Sequence, residues 1–158
     1  MNHQCIKLNK ILVMQKNSLI ALLDCCFPNA NTLFTSPRRA SDGHEKWVDF
    51  VMKFPHMASV ATLSLSVFKA KYQSWCKKEN YKYSESKAEQ IHVYARTIVS
   101  TLPMTDAVKK MVSEAAKHLN STLEALGTLH SEMDTLATQL PEYETVMNPL
   151  ISAASECK

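Results

Sequence analysis

The feature that most constrains this chain is a run of apolar residues at strict heptad spacing. Val108, Ala115, Thr122, Leu129 and Leu136 form one set, and Val112, Leu119, Leu126, Met133 and Leu140 form the other. The sets interleave in steps of four and three through five heptads, with Thr122 the only polar member. Sustained apolarity at this period predicts a long helix of coiled-coil type. Thr105 is placed to cap its start and Pro141 to end it. Roughly 35 residues at 1.5 Å each make an arm about 50 Å long. Its seam has to be covered by another helix. Residues 4–26 offer one, with Cys5, Leu8, Leu12, Gln15, Leu19, Leu22 and Cys26 on one stripe. That helix is shorter than the arm by more than a dozen residues, which leaves seam for a second copy. The expected partner is therefore a homodimer mate meeting Val108, Val112, Ala115, Leu119, Leu126, Leu129, Met133, Leu136 and Leu140.

The rest of the chain also reads as helical. There are two glycines, Gly43 and Gly127, where a chain of this length averages about eleven. Gly-rich phosphate loops and tight primed hairpins are thereby excluded. Pro28 ends the first helix at Phe27, and Leu33 and Phe34 anchor the loop that follows. A short helix is predicted over His44–Phe54, capped by Ser41 or Asp42 and stopped by Pro55, with Trp47, Val48, Val51, Met52 and Phe54 inward. Ser64 or Ser66 caps a helix over Val67–Lys78 that faces Phe68, Tyr72 and Trp75 inward. Ser84 caps another over 85–100, with Ala88, Ile91, Ala95, Ile98 and Val99 inward. The expectation is an all-α chain, a small helical domain with a long coiled-coil-like arm. Its segments are an arm helix (1–28), the small domain (29–102), the long helix (103–141) and a tail (142–158).

Charge and cysteine usage narrow the functional classes. Residues 1–102 carry 14 Lys/Arg against 7 Asp/Glu, a net +7, while 103–158 carry 4 against 8, a net −4. An anionic partner would meet the basic front. The five cysteines are irregularly spaced and include no C-x-x-C pair, so reduced thiols and a cytoplasmic location are expected. The apolar run from Ile11 to Leu23 is broken by Gln15, Lys16 and Asn17, so no membrane segment is read there. No spacing of His, Cys, Asp or Glu suggests a metal site, and no cofactor is expected in this chain. Asp24, Asp42, Asp49, Glu85 and Glu89 read as solvated or capping carboxylates. Cys76 beside Lys77-Lys78 has a neighbourhood that lowers a thiol pKa, though a lone cysteine at a turn is usually inert. No catalytic residue is identified.

The candidate binding surface is basic. It comprises Arg38 and Arg39 in the loop, then Lys69, Lys71, Lys77, Lys78, Lys82 and Lys87, the lysines interleaved with Tyr72, Trp75, Tyr81, Tyr83 and Tyr94. Lysines on phosphates and aromatic rings under bases suit RNA or single-stranded DNA. The other reading puts Tyr72 and Trp75 in the core and leaves the lysines solvated.

Five strings, in order, carry a resemblance. They are Lys16-Asn17-Ser18-Leu19-Ile20-Ala21-Leu22-Leu23-Asp24; Phe27-Pro28-Asn29 with Leu33-Phe34; His44-Glu45-Lys46-Trp47-Val48-Asp49-Phe50-Val51; Ser84-Glu85-Ser86-Lys87-Ala88; and Leu140-Pro141-Glu142-Tyr143 followed by Val146-Met147. Together, over about residues 5–148, they resemble the middle of transposases of the insertion-sequence-110 family, also named with 116 and 902. The resemblance implies a helical and coiled-coil segment between an N-terminal resolvase-like domain with four acidic metal ligands and a C-terminal domain with a catalytic serine. It further implies assembly as a dimer or higher, contact with DNA and a structured guide RNA, and Mg²⁺ in the complete enzymes. From Pro149 onward the sequence departs from the family's Gly-rich string. On this reading the chain is truncated at both ends and carries neither catalytic region. The alternatives are a stand-alone helical oligomerisation or regulatory module, and a small RNA-binding protein.

Overall fold

The computed structural model describes residues 2–139, and the expectations for Leu140, Pro141 and the tail 142–158 lie outside them. Among the described residues there are six α-helices and no strand: α1 (Asn2–Cys26), α2 (Lys46–Lys53), α3 (Ala58–Ala61), α4 (Leu65–Lys78), α5 (Glu85–Thr97) and α6 (Asp106–Gln139). The all-α expectation holds.

The starts and stops follow local chemistry. α1 gives out at Cys26, because Pro28 disfavours helical backbone at Phe27. The Phe27 N–H still reaches the Leu23 carbonyl, at 2.6 Å. Ser64 Oγ accepts the Val67 N–H at 3.4 Å, Ser84 Oγ the Lys87 N–H at 3.3 Å, and Thr105 Oγ1 the Val108 N–H at 3.2 Å. Each satisfies an orphan donor of a first helical turn. Predicted boundaries differ in places; α4 starts at Leu65 rather than Val67. α2 begins at Lys46 with Glu45 as an extended N-cap, and neither Ser41 nor Asp42 caps it. The Asp42 carboxylate instead accepts the His44 N–H at 3.1 Å, which holds residues 42–44 in a turn. Gly43 sits at φ +76, a backbone that favours glycine. α5 stops at Thr97, short of 100, and Val99 is 83% exposed rather than inward. The chain is drawn away there because the N–H groups of Thr101 and Leu102 both donate to the Cys25 carbonyl at the end of α1.

α1 and α6 run antiparallel. Cys5 Sγ lies 3.4 Å from Met133 Sδ at one end, and the Cys25 carbonyl holds the lead-in to α6 at the other. Among the described residues α1 has 25 residues and α6 has 34. Val108, Val112, Leu119 and Leu126 are buried within the chain, in the helix that packs against α1 and α2. α6 packs against two helices, so its buried stripe is wider than a coiled-coil seam and takes in Ala116, Asn120 and Leu123. Ala115, Leu129 and Met133 are half-buried, and Leu136 is 46% exposed.

The core gathers on Phe50, which the inward face predicted for the second helix omitted. Phe27, Phe34, Phe54, Tyr72 and Trp75 surround its ring at centroid distances of 4.9–6.2 Å. One apolar cluster runs from Leu12 to Leu126 through α1, α2, α4, α5 and α6, so the three segments 1–28, 29–102 and 103–141 share it.

Candidate nucleic-acid interface

The eight basic positions fall into two groups. Four are engaged within the chain. Arg38 is exposed and pairs with Glu45 at 3.3 Å. Arg39 grips Asp42 with two parallel bonds of 2.9 and 2.6 Å, donates to the Glu79 carbonyl at 2.6 Å, and lies 3.3 Å from Asp49. Lys69 bridges Glu85 and Glu89 at 2.8 and 2.6 Å. Those carboxylates raise its pKa, and Lys69 in turn holds the Glu85 carboxyl below its usual range. Lys87 is half-buried, its ammonium 5.8 Å above the Phe34 ring. The other four, Lys71, Lys77, Lys78 and Lys82, are exposed.

The aromatic half of the expected surface is absent. Tyr72 and Trp75 are 0% and 4% exposed and stack on one another with centroids 5.6 Å apart. Tyr81 stacks on Trp75 at 5.3 Å and donates its hydroxyl to Asp49 at 2.6 Å. Tyr94 donates its hydroxyl to the Pro28 carbonyl. Burial, then the bond to Asp49, push the Tyr81 hydroxyl pKa well up. Of the two readings of this segment, the one with the aromatics in the core is the one the structure adopts.

Three features escaped the sequence reading. Asp49, read as a solvated carboxylate, is 6% exposed. It accepts from Tyr81 and from Asn120 Nδ2 at 2.7 Å and faces Arg39 and His44 Nδ1, each at 3.3 Å. His44 Nε2 continues the chain of contacts to Glu124 at 2.8 Å, so the 39–49 segment is tied to the middle of α6. Lys46 is 8% exposed, donates to the Lys82 carbonyl at 3.0 Å, and sits among the rings of Phe34, Tyr72 and Tyr81 at 5.1–5.8 Å. Burial lowers its pKa. Lys53, at the last turn of α2, joins Lys71 and Lys78 around a cleft of about 530 Å³ that Ser59 and Ser74 also line. Cys76 is buried, and burial pushes its thiol pKa up rather than down, so the lysines beside it do not activate it.

Among the described residues no three His, Cys, Asp or Glu side chains gather as a metal-binding group, and no helix is long and apolar enough to cross a membrane. Compared with known proteins, the chain matches no family model, no curated protein and no solved structure.

Proposed function

We propose that this chain is the helical middle region of a DNA transposase, acting in assembly and in nucleic-acid contact rather than in strand chemistry. The observation that carries the reading is the order and spacing of the five motif strings ahead of and behind one long heptad helix. Residues of those strings hold elements of the fold. Lys16 pairs with Glu45 at 2.8 Å, Trp47 is core, and Ser84 caps α5. The exposed lysines of α4 and the turn after it give the nucleic-acid role a surface. On this proposal the chain works in the cytoplasm, and Mg²⁺ belongs to the catalytic regions of the complete enzymes.

A second reading, a stand-alone helical oligomerisation module, is favoured by one observation. Ile6, Val13 and Met14 on α1 are 46%, 58% and 68% exposed, and Met111 on α6 is 55% exposed. One experiment separates the two. The tagged chain is co-expressed with a full-length transposase of the family it resembles, and the purified material is sized by light scattering. Co-purification with the transposase supports the first reading. A homo-oligomer that ignores the transposase supports the second, and a lone monomer defeats both.

A further inference from the structure

We infer that the cleft between the end of α2, α3 and α4 seats the phosphodiester backbone of a nucleic-acid duplex, with Lys53, Lys71 and Lys78 as its cations and no base read. The inference rests on the nucleic-acid role proposed above and locates it. It leaves out Arg39, Lys69 and Lys87, whose charge or packing is spent inside the chain, and Arg38, which does not line the cleft, and it adds Lys53, which the sequence did not single out.

The geometry favours a duplex backbone over a single strand. Lys71 and Lys78 are seven residues apart on α4, which is about 10 Å along the helix at 1.5 Å per residue. Seven residues are close to two full turns, so both lysines lie on one face of α4 and can reach phosphates of one strand. Lys53 approaches the same cleft from α2. Ser59 and Ser74 add hydroxyl donors on its walls, which is ordinary phosphate chemistry. A single strand is held largely by stacking its bases on exposed rings. Here Tyr72 and Trp75 are buried, and Tyr81 lies on Trp75, so the surface offers charge without a stacking platform. Two carboxylates also line the cleft. Asp49 is already engaged by Arg39, Tyr81 and Asn120, and Glu79 lies 3.8 Å from Lys78. The ligand class is therefore the sugar–phosphate backbone of a double helix, and the test carries both DNA and RNA duplexes.

The experiment measures binding of the full chain to a labelled 20-base-pair DNA duplex (about two turns), the matching RNA duplex and the single strand, over about 50–200 mM salt. Changing Lys53, Lys71 and Lys78 together to Ala should reduce the slope of log affinity against log salt by about 2.7, at roughly 0.9 per lost phosphate contact. Changing Lys7, Lys10 and Lys110 to Ala removes the same charge from α1 and α6 and should leave the slope unchanged. Circular dichroism checks that both variants stay helical. Equal loss in both variants would overturn the cleft while leaving nucleic-acid binding standing. Tighter binding of the single strand than of either duplex would overturn the duplex assignment. No binding of the unmodified chain to any of the three would remove the nucleic-acid role itself and the cleft with it.

Discussion

Arg39 shows most sharply how the structure changes the meaning of a surface cation. In the sequence it is one of a basic pair suited to phosphate. In the fold its side chain is 18% exposed and makes the two-pronged grip on Asp42, the bond to the Glu79 carbonyl and the approach to Asp49. Its guanidinium also lies 5.0 Å over the Tyr81 ring. Arg39→Ala would strand Asp42 and leave the buried Asp49 with less compensation. Breaking a fully buried ion pair costs about 3–5 kcal/mol. Asp42 is 27% exposed and partly rehydrates, so the lower end, about 3 kcal/mol, is expected here. With a urea m-value of about 2 kcal/mol/M, the midpoint of unfolding falls by about 1.5 M. Arg39→Lys should recover little of this, because an ammonium cannot reproduce the planar two-pronged contact. The salt slope of nucleic-acid binding should stay the same in both variants. A loss below about 0.5 kcal/mol, the range of ordinary surface substitutions, together with a shallower salt slope, would show that Arg39 is a free surface cation.

Three further outcomes follow from individual contacts. Asp42 and Glu45 both titrate below their usual range. Asp42 does so through the Arg39 bond first. At Glu45 burial opposes the shift, but bonds from Lys16 and Trp47 outweigh it. Their stabilisation is present above ordinary carboxylate pKa values of about 4 and is lost as pH falls through the lower folded values. Urea midpoints should therefore be level from neutral down to about pH 5 and then decline, less steeply in Arg39→Ala; a midpoint that rises on acidification would contradict this. Gly127 lies inside α6, where an added Cβ meets nothing within 4 Å, so Gly127→Ala should stabilise by about 0.5–1 kcal/mol and raise the thermal midpoint by a few degrees. Leu119→Ala, at a side chain 1% exposed, should cost about 2–5 kcal/mol. Leu136→Ala, at one 46% exposed, should cost under about 0.5 kcal/mol in dilute solution, and a loss that grows with protein concentration would report a second copy on that end of α6.

Much of the fold was legible because it is written in short-range chemistry. Prolines 28 and 55, the serines at 64 and 84, and Thr105 act within one turn of where they stand, and each does what its type predicts. The heptad run announced α6 as a long helix, and Thr105 its cap. It did not give the cover, since a periodic stripe states that a face is buried and not which helix buries it. α2, only eight residues long, also packs on α6, where Asp49 meets Asn120, and Ala116, Asn120 and Leu123 are buried although they lie outside both heptad sets. The candidate site was half legible for a related reason. Lys69 and its partners Glu85 and Glu89 are 16 and 20 positions apart, and Asp49 meets Asn120 across 71. Such pairs form only when the helices pack. Lys53 stands alone at the end of α2, 18 and 25 positions before Lys71 and Lys78, so no local cluster announced it.

Lysine footprinting by brief acetylation and mass spectrometry, with and without a DNA duplex, tests the central claim most directly, because it reads each cation separately. Without nucleic acid, Lys53, Lys71, Lys77 and Lys78 should be modified quickly. Lys46, buried among three rings, should be modified slowly. With duplex present, protection should fall on Lys53, Lys71 and Lys78 and spare Lys7, Lys10 and Lys110. Protection spread evenly over all exposed lysines, or none at any of them, would contradict the account.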